Sequence, residues 1–305
     1  MRRRQFLHSA TTVAFGAAIG GSALDLALRP ARADGCGAPP SSVQLFTVRE
    51  ALQRDPRAAL AKLRDLGIVE AELYGLNGPE NATLFGLAAA DLKRAFDANG
   101  IRVPYSHIGG GLTNTKAIAE IARALDVDTL IVALPAEFSG RGGMVPAEGR
   151  AQLDALAEKL NRVGREYRDE GLTFGYHNHH VEFMPVEGLT PYDYLMSHTD
   201  PALVKIELDL GWLAYSGVDP VAYLRRHAGR VVSCHLKDYA PTIATEVPQR
   251  KLVAPGAGTV DFAAVLRAMS ETGVAHGFIE VDVSDDPFGD IERGREHLRT
   301  LGHCA

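Results

Sequence analysis

Within nine residues, Gly175 to Phe183, the stretch GYHNHHVEF places three histidines and a glutamate. Three later stretches pair ionisable residues at a spacing of two: Glu207 and Asp209 in KIELDLGW, His235 and Lys237 in SCHLKD, Glu280 and Asp282 in FIEVD. Residues two apart on an extended strand point to the same face, so each pair would project together. One imidazole and several carboxylates converging in this way suit one divalent cation of intermediate hardness: Mn²⁺, Co²⁺, Zn²⁺ or Mg²⁺. A His or a cation-proximal Glu beside such an ion can take and return protons. The sequence holds no CxxC pair and no HExxH, which argues against a zinc finger and a thermolysin-like protease.

The elements that must position these groups follow from the hydrophobic rhythm. Eight short apolar runs are of strand length and rich in β-branched or aromatic residues: VQLFTV (43–48), VEAELY (69–74), RVPYSH (102–107), TLIVAL (129–134), LTFGYHNH (172–179), VKIELDL (204–210), VVSCHLK (231–237) and HGFIEVDV (276–283). Between and after them lie amphipathic patterns such as DPRAALAKLRDLG and NTKAIAEIARALD, several stopping at Gly after a charged last turn. Eight strands alternating with eight helices predict a single closed (β/α)₈ TIM barrel, with an open doubly wound sheet as the alternative. No composition break follows Pro40, so residues 34–305 read as one domain.

In a barrel of this kind the active site sits at the carboxyl ends of the strands. The residues there are Glu72, His107, the 177–182 cluster, Glu207, Asp209, His235, Lys237, Glu280 and Asp282. Several have two readings. His107 contacts substrate or is a satisfied strand-end histidine, and Glu72 faces substrate or is paired. Glu207 and Asp282 stand as substrate-side carboxylates. Lys237 orients a substrate oxygen, or pairs with Asp238 or Glu207. Trp212 walls the pocket and stacks on a sugar, or is a core aromatic. His180 and His198 read as surface residues, and Gly109–Gly111 as a flexible loop.

The first 33 residues have a basic start, an apolar run from about Ala10 to Leu28 and a small-x-small pattern at Ala31-Arg32-Ala33. This reads as a cleaved signal peptide, and the arginine pair before Gln5-Phe6-Leu7 resembles the twin-arginine type. Export to the periplasm, or out of the cytoplasm generally, is the expectation. The segment carries five arginines and one aspartate, so cleavage would make the formal net charge of −6 more negative. An acidic chain repels polyanions, which argues against a nucleic-acid partner. No second run is long and apolar enough to span a bilayer, so no membrane association is expected after cleavage. In an oxidising compartment Cys36 and Cys304, near the two ends, could pair, while Cys234 lies in an apolar run and reads as buried.

VQLFTVRE, YHNHHVEF, ELDLGWLAYSGVDP, GRVVSCHLKDY, GAGTVDF and FIEVD, in that order over about residues 43–283, resemble the sugar phosphate isomerase/epimerase superfamily. These are the xylose isomerase-like TIM barrels, and the likeness is to the branch with a YHNHxxEF element. The resemblance implies a divalent metal held by a Glu, an Asp, a His and a second Glu from the last four strands. Asp209, His235 and Glu280 match three of those positions. At the first, relatives with ExxN or ENH place a carboxylate, whereas this chain has His177. Glu182 is expected to supply that carboxylate, with His177 the competing candidate and His179 free for proton transfer or a substrate hydroxyl.

A metal beside such groups would favour loss of a proton next to a carbonyl, giving epimerisation, isomerisation or elimination of a β-substituent. Some relatives resembling this chain apply the last to 3-keto-glycosides. Export and the lack of a P-loop point to an unphosphorylated sugar, keto-sugar or glycoside. The first expectation is a metal-dependent sugar isomerase or epimerase with His179, Lys237, His177 and His107 as catalytic candidates; the alternative is a keto-glycoside lyase. Two other classes stand beside them: a non-catalytic sugar-binding protein, and a phosphodiesterase resembling endonuclease IV, against which the acidic composition argues. A homo-oligomer is open.

Overall fold

The structure is a computed structural model that describes residues 41–78 and 83–301. The N-terminal segment and the Cys36–Cys304 pairing lie outside the described residues. Eight parallel strands close into a barrel: β1 (Ser42–Gln44), β2 (Glu70–Leu76), β3 (Arg102–Ile108), β4 (Thr129–Val132), β5 (Thr173–His177), β6 (Lys205–Asp209), β7 (Val231–Leu236) and β8 (His276–Ile279). Each strand pairs with its sequence neighbours, and β8 closes the ring on β1.

The main connecting helices are α1 (Pro56–Asp65), α2 (Ala89–Ala98), α3 (Thr115–Ala124), α4 (Arg150–Asp169), α5 (Pro191–His198), α6 (Pro220–Arg226), α7 (Phe262–Thr272) and α8 (Pro287–Leu301). Their starts are written locally. The Asp-Pro pairs at 55–56 and 219–220 supply an N-cap carboxylate followed by a residue that needs no N–H: Asp55 accepts from Ala58 N and Asp219 from Val221 N. Among the described residues, no helix is long and apolar enough to cross a membrane.

Alternation along the strands sorts the side chains into two layers. Tyr176, Ile206, Leu208, Cys234, Leu236 and Ile279 point outward and join the core between barrel and helices. Cys234 is buried there as a free thiol. Inside the barrel, Tyr105, Ile131 and Phe278 form a separate apolar cluster with Val232 packed on it. This is a floor. The next inward residues toward the carboxyl ends, His107 on β3 and Glu280 just beyond β8, begin the polar layer.

The strands are shorter than the apolar runs at several ends. The VQLFTV run leaves the sheet at Gln44, whose side chain accepts from Phe46 N and starts a 3₁₀ turn over Leu45–Val48. Strand β8 stops at Ile279, so Glu280 and Asp282 stand on the loop after it. The Gly109–Gly111 segment is a close crossing instead of a loose loop: a Cβ on Gly110 would lie 1.8 Å from the Leu134 carbonyl oxygen.

Candidate active site

Glu207 is the centre of the polar layer. Its Oε1 lies 2.7 Å from His107 Nε2, 3.1 Å from His177 Nδ1 and 3.1 Å from His235 Nε2. Its Oε2 accepts from Ser233 Oγ at 2.7 Å. The carboxylate is fully buried, and the three imidazoles hold it well below the usual carboxylate range against the cost of burial. With both oxygens engaged, Glu207 orients histidines, a different placing from the substrate-side one expected.

His235 is clamped on both ring nitrogens. Nε2 is 2.6 Å from Glu72 Oε2, and Nδ1 is 2.6 Å from Glu280 Oε2 and 3.8 Å from Asp209 Oδ2. Burial would lower its pKa, but Glu207, Glu280 and Glu72 together raise it well above the ordinary histidine value. Glu72 is likewise fully buried and paired, and burial beside Glu207 pushes its carboxyl up to about 7. His107 stacks on His235 with ring centroids 5.2 Å apart.

Asp209 performs two tasks at the end of β6. Oδ1 accepts from Trp212 N at 2.9 Å and so caps the short helix Leu210–Tyr215. Oδ2 faces the barrel axis, 2.9 Å from Lys237 Nζ and 3.6 Å from His177 Nε2. Lys237 also meets Glu280 Oε2 at 2.9 Å and Asp282 Oδ1 at 3.0 Å. Neither Asp238 nor Glu207 is its partner in this set. Despite burial, Asp209, Asp282 and Glu280 keep the ammonium charged and raise its pKa well above the ordinary value. Gly211 makes room for it, because a Cβ there would sit 2.8 Å from Lys237 Cγ.

The residue types fit a divalent cation. One ligand atom from each of Asp209, His235 and Glu280 lies within 4.8 Å of the other two. His177, with Nδ1 on Glu207, turns Nε2 toward the same Asp209 oxygen. Lys237 Nζ places positive charge against Asp209 Oδ2 and Glu280 Oε2, so those two oxygens are set toward a positive partner. Asp209, His235 and Glu280 would hold the ion, and His177 Nε2, 3.6 Å from Asp209 Oδ2, is the candidate for a fourth position. Glu72 and Glu207 on the far side of the imidazoles supply the carboxylate–histidine contacts that fix ligand tautomers.

Glu182 lies elsewhere. It is fully buried, and its oxygens accept from Tyr176 OH at 2.9 Å and His179 N at 3.0 Å. Tyr176 points outward from β5 while His177 points inward, and the partnership with Tyr176 takes Glu182 to the outer layer. His177 occupies the inward position.

Around the mouth, His179 lies 4.8 Å from His177 and 5.9 Å from Trp212, centroid to centroid. His180 is half-buried, stacked on Trp212 at 4.7 Å, instead of standing free on the surface; His198 is exposed, as expected. Trp212 is itself fully buried behind these rings. Among the described residues, His179 Nδ1 and Trp212 Nε1 are buried without a hydrogen-bond partner.

Sequence reasoning missed three contributors. Ser233 sits two before His235 on its face, a spacing that could have flagged it. Asn178 pairs with the Asp209 backbone through both amide atoms, accepting from N at 3.0 Å and donating to O at 3.3 Å. Asp238 is a buried carboxylate that gathers Tyr239 N, Gly256 N, Gly258 N and Val260 N within 3.0 Å, fixing the loop that follows Lys237.

With this geometry, residues 60–301 match the model of the xylose isomerase-like TIM barrel family. The chain belongs to that family. It is 34% identical over 247 residues to an inosose dehydratase of Clostridium beijerinckii, covering 72% of this chain and 82% of the relative. Its fold is similar to a sugar phosphate isomerase/epimerase from Parabacteroides distasonis, with a TM-score of 0.70 at 21% identity over 86% of this chain and 96% of the other. A D-psicose 3-epimerase from Clostridium cellulolyticum gives 0.62 at 12% identity over 82% and 94%. The protein is accordingly a sugar-modifying enzyme built on the xylose isomerase-like TIM barrel.

Proposed function

We propose that the protein is a divalent-metal-dependent lyase that eliminates a β-oxygen substituent, water or an alcohol, next to the carbonyl of an unphosphorylated keto-sugar or keto-polyol. The observation that carries this reading is a neutral imidazole beside an ammonium. His179 and Lys237 flank the same Trp212 ring, Lys237 Nζ at 5.8 Å from its centroid. Burial, with His177 and Lys237 nearby, holds the His179 pKa well below its ordinary value, so its ring is neutral, and its Nδ1, without a hydrogen-bond partner, is free to accept a proton. Lys237 is a charged acid. A base and an acid ready together suit removal of a proton at one carbon and protonation of a leaving oxygen at the next. The similarity to an inosose dehydratase supports elimination over the epimerisation or isomerisation expected first.

When bound, the divalent ion would polarise the substrate carbonyl and so acidify the adjoining C–H. His179 Nδ1 takes that proton. The C–H electrons form a carbon–carbon double bond conjugated with the carbonyl as the β-carbon–oxygen bond breaks. Lys237 donates a proton to the departing oxygen, and Asp282 Oδ1, at 3.0 Å and outside the ion's set, holds its ammonium in place. Return of the proton from His179 to Lys237 restores the resting state, and the net product is an enone with water or an alcohol. His180, stacked on the buried Trp212, stands between that ring and bulk water. Export through the N-terminal segment belongs to the same proposal and accounts for an unphosphorylated substrate.

The test uses metal-loaded protein with ketoses, inososes and 3-keto-glucosides in deuterated water, followed by NMR and mass spectrometry. Enone formation, reduced about 10²–10⁴-fold in His179→Ala, is expected. Exchange of the α-proton with inversion and no loss of a substituent would make the enzyme an epimerase. Binding without turnover on the whole panel would leave a sugar-binding role.

A further inference from the structure

The YHNHHVEF segment is fastened on both of its faces. On the barrel side, Asn178 continues the β5–β6 pairing by bonding the Asp209 backbone through both amide atoms. On the outer side, Glu182 closes a short loop: Oε1 accepts from Tyr176 OH and Oε2 from His179 N. Glu182, Tyr176 and Asn178 are all fully buried, so these bonds are shielded from water. Between the two fastenings the chain presents His179, whose buried Nδ1 has no partner among the described residues. A carboxylate removed this completely from solvent is costly unless its oxygens are satisfied by defined partners.

We propose that Glu182 is a positioning residue: with Tyr176 it latches the His179 backbone so that the histidine ring stays beside His177 and Trp212. This rests on His179 being the base of the proposed elimination. A base must lie within hydrogen-bond reach of the proton it takes, and small misplacements are expensive in rate. Glu182 then acts through His179 and not through the metal.

The experiment compares Glu182→Leu, Glu182→Gln and Tyr176→Phe in full-length protein. Metal content should stay at the wild-type level in all three. Hydrogen exchange at the His179 backbone amide, read by NMR, should quicken at least tenfold in Glu182→Leu and stay near wild type in Glu182→Gln, whose amide oxygen can still accept. With a turned-over substrate, kcat should fall about 10–100-fold in Glu182→Leu with KM little changed, and Glu182→Gln should recover most of the loss. In a His179→Ala background, Glu182→Leu should cost nothing further. Should Glu182→Leu fail to fold, Tyr176→Phe takes its place with a smaller shift in the same readouts. Loss of metal in Glu182→Gln would make Glu182 a ligand and overturn the proposal. Unchanged amide exchange, or a full additional loss in the His179→Ala background, would also overturn it. Metal content and amide exchange are read without turnover, so failure of the elimination chemistry leaves this test standing.

Discussion

His177 turns Nδ1 to Glu207 at 3.1 Å, and its Nε2 thereby faces Asp209 Oδ2 at 3.6 Å. One carboxylate orients the ring and the other shares its outer nitrogen, the arrangement of a metal-ligating histidine with its supporting acid. Burial, reinforced by His235, pushes the His177 pKa down to about 4, so the ring is neutral and able to ligate. Removing the support in Glu207→Gln should weaken divalent-metal affinity about 10–100-fold. His177→Ala should weaken it more. Titration calorimetry on dialysed protein checks both, and unaltered affinity in His177→Ala would remove it from the ligand set.

Metal binding should release a proton. Both nitrogens of His235 lie 2.6 Å from carboxylate oxygens, so the metal-free ring carries two protons. A cation held by Nδ1 must displace one of them. Affinity should therefore rise with pH by up to about tenfold per pH step while the ring remains an imidazolium. Calorimetry in buffers of different ionisation enthalpy measures the protons released. A count near zero at neutral pH would mean the ion does not use His235.

The barrel was legible because β-strand alternation and apolar runs are local properties. So were the inward pairs Glu207/Asp209 and His235/Lys237, whose shared face depends only on strand period. Glu182 was not. Its residue type suits a metal, but whether it reaches the axis depends on the turn after His177, and Tyr176 OH captures it on the outer side. Another hidden feature is the register shift between Ile206 and Glu207 in the β6–β7 pairing, where Val231 pairs with Ile206 and Ser233 with Glu207. The shift lets Val232 join the apolar floor while Ser233 bonds Glu207. Strict alternation would have put adjacent residues on opposite faces. Long-range partners of this kind are set by closure of the barrel, which no local pattern encodes.

Asp238 should matter to stability more than its place beside the catalytic candidates suggests. Four backbone N–H groups converge on its two buried oxygens. In Asp238→Asn an amide NH₂ would face two of those donors, leaving them unpaired. The expected cost is about 2–4 kcal/mol, measured by urea unfolding. Since Lys237 is held by Asp209, Glu280 and Asp282 instead, metal content at low temperature should survive the substitution. A cost below about 0.5 kcal/mol, the scale of ordinary surface changes, would show that the loop holds itself.

The Glu182 carboxyl gives the protein a separable dependence on pH. Burial pushes it from 4.5 up to about 7, against hydrogen bonds from its own backbone, Tyr176 and His179. Between those two values the folded protein holds a proton that the unfolded chain has released. The stability this contributes is complete below about pH 4.5, declines as pH rises through 7, and is gone above it. A displacement of this size corresponds to about 3 kcal/mol as an upper figure. Glu182→Gln carries a neutral group at every pH and so lacks the decline. Urea unfolding of the two proteins at pH 5, 6, 7 and 8 should show similar stabilities at the acid end. The variant should gain on the wild type as pH rises, and the gap should level off above neutrality. Parallel curves across that range would mean that Glu182 is ionised in the folded protein throughout, its charge carried by Tyr176 OH and the His179 N–H alone.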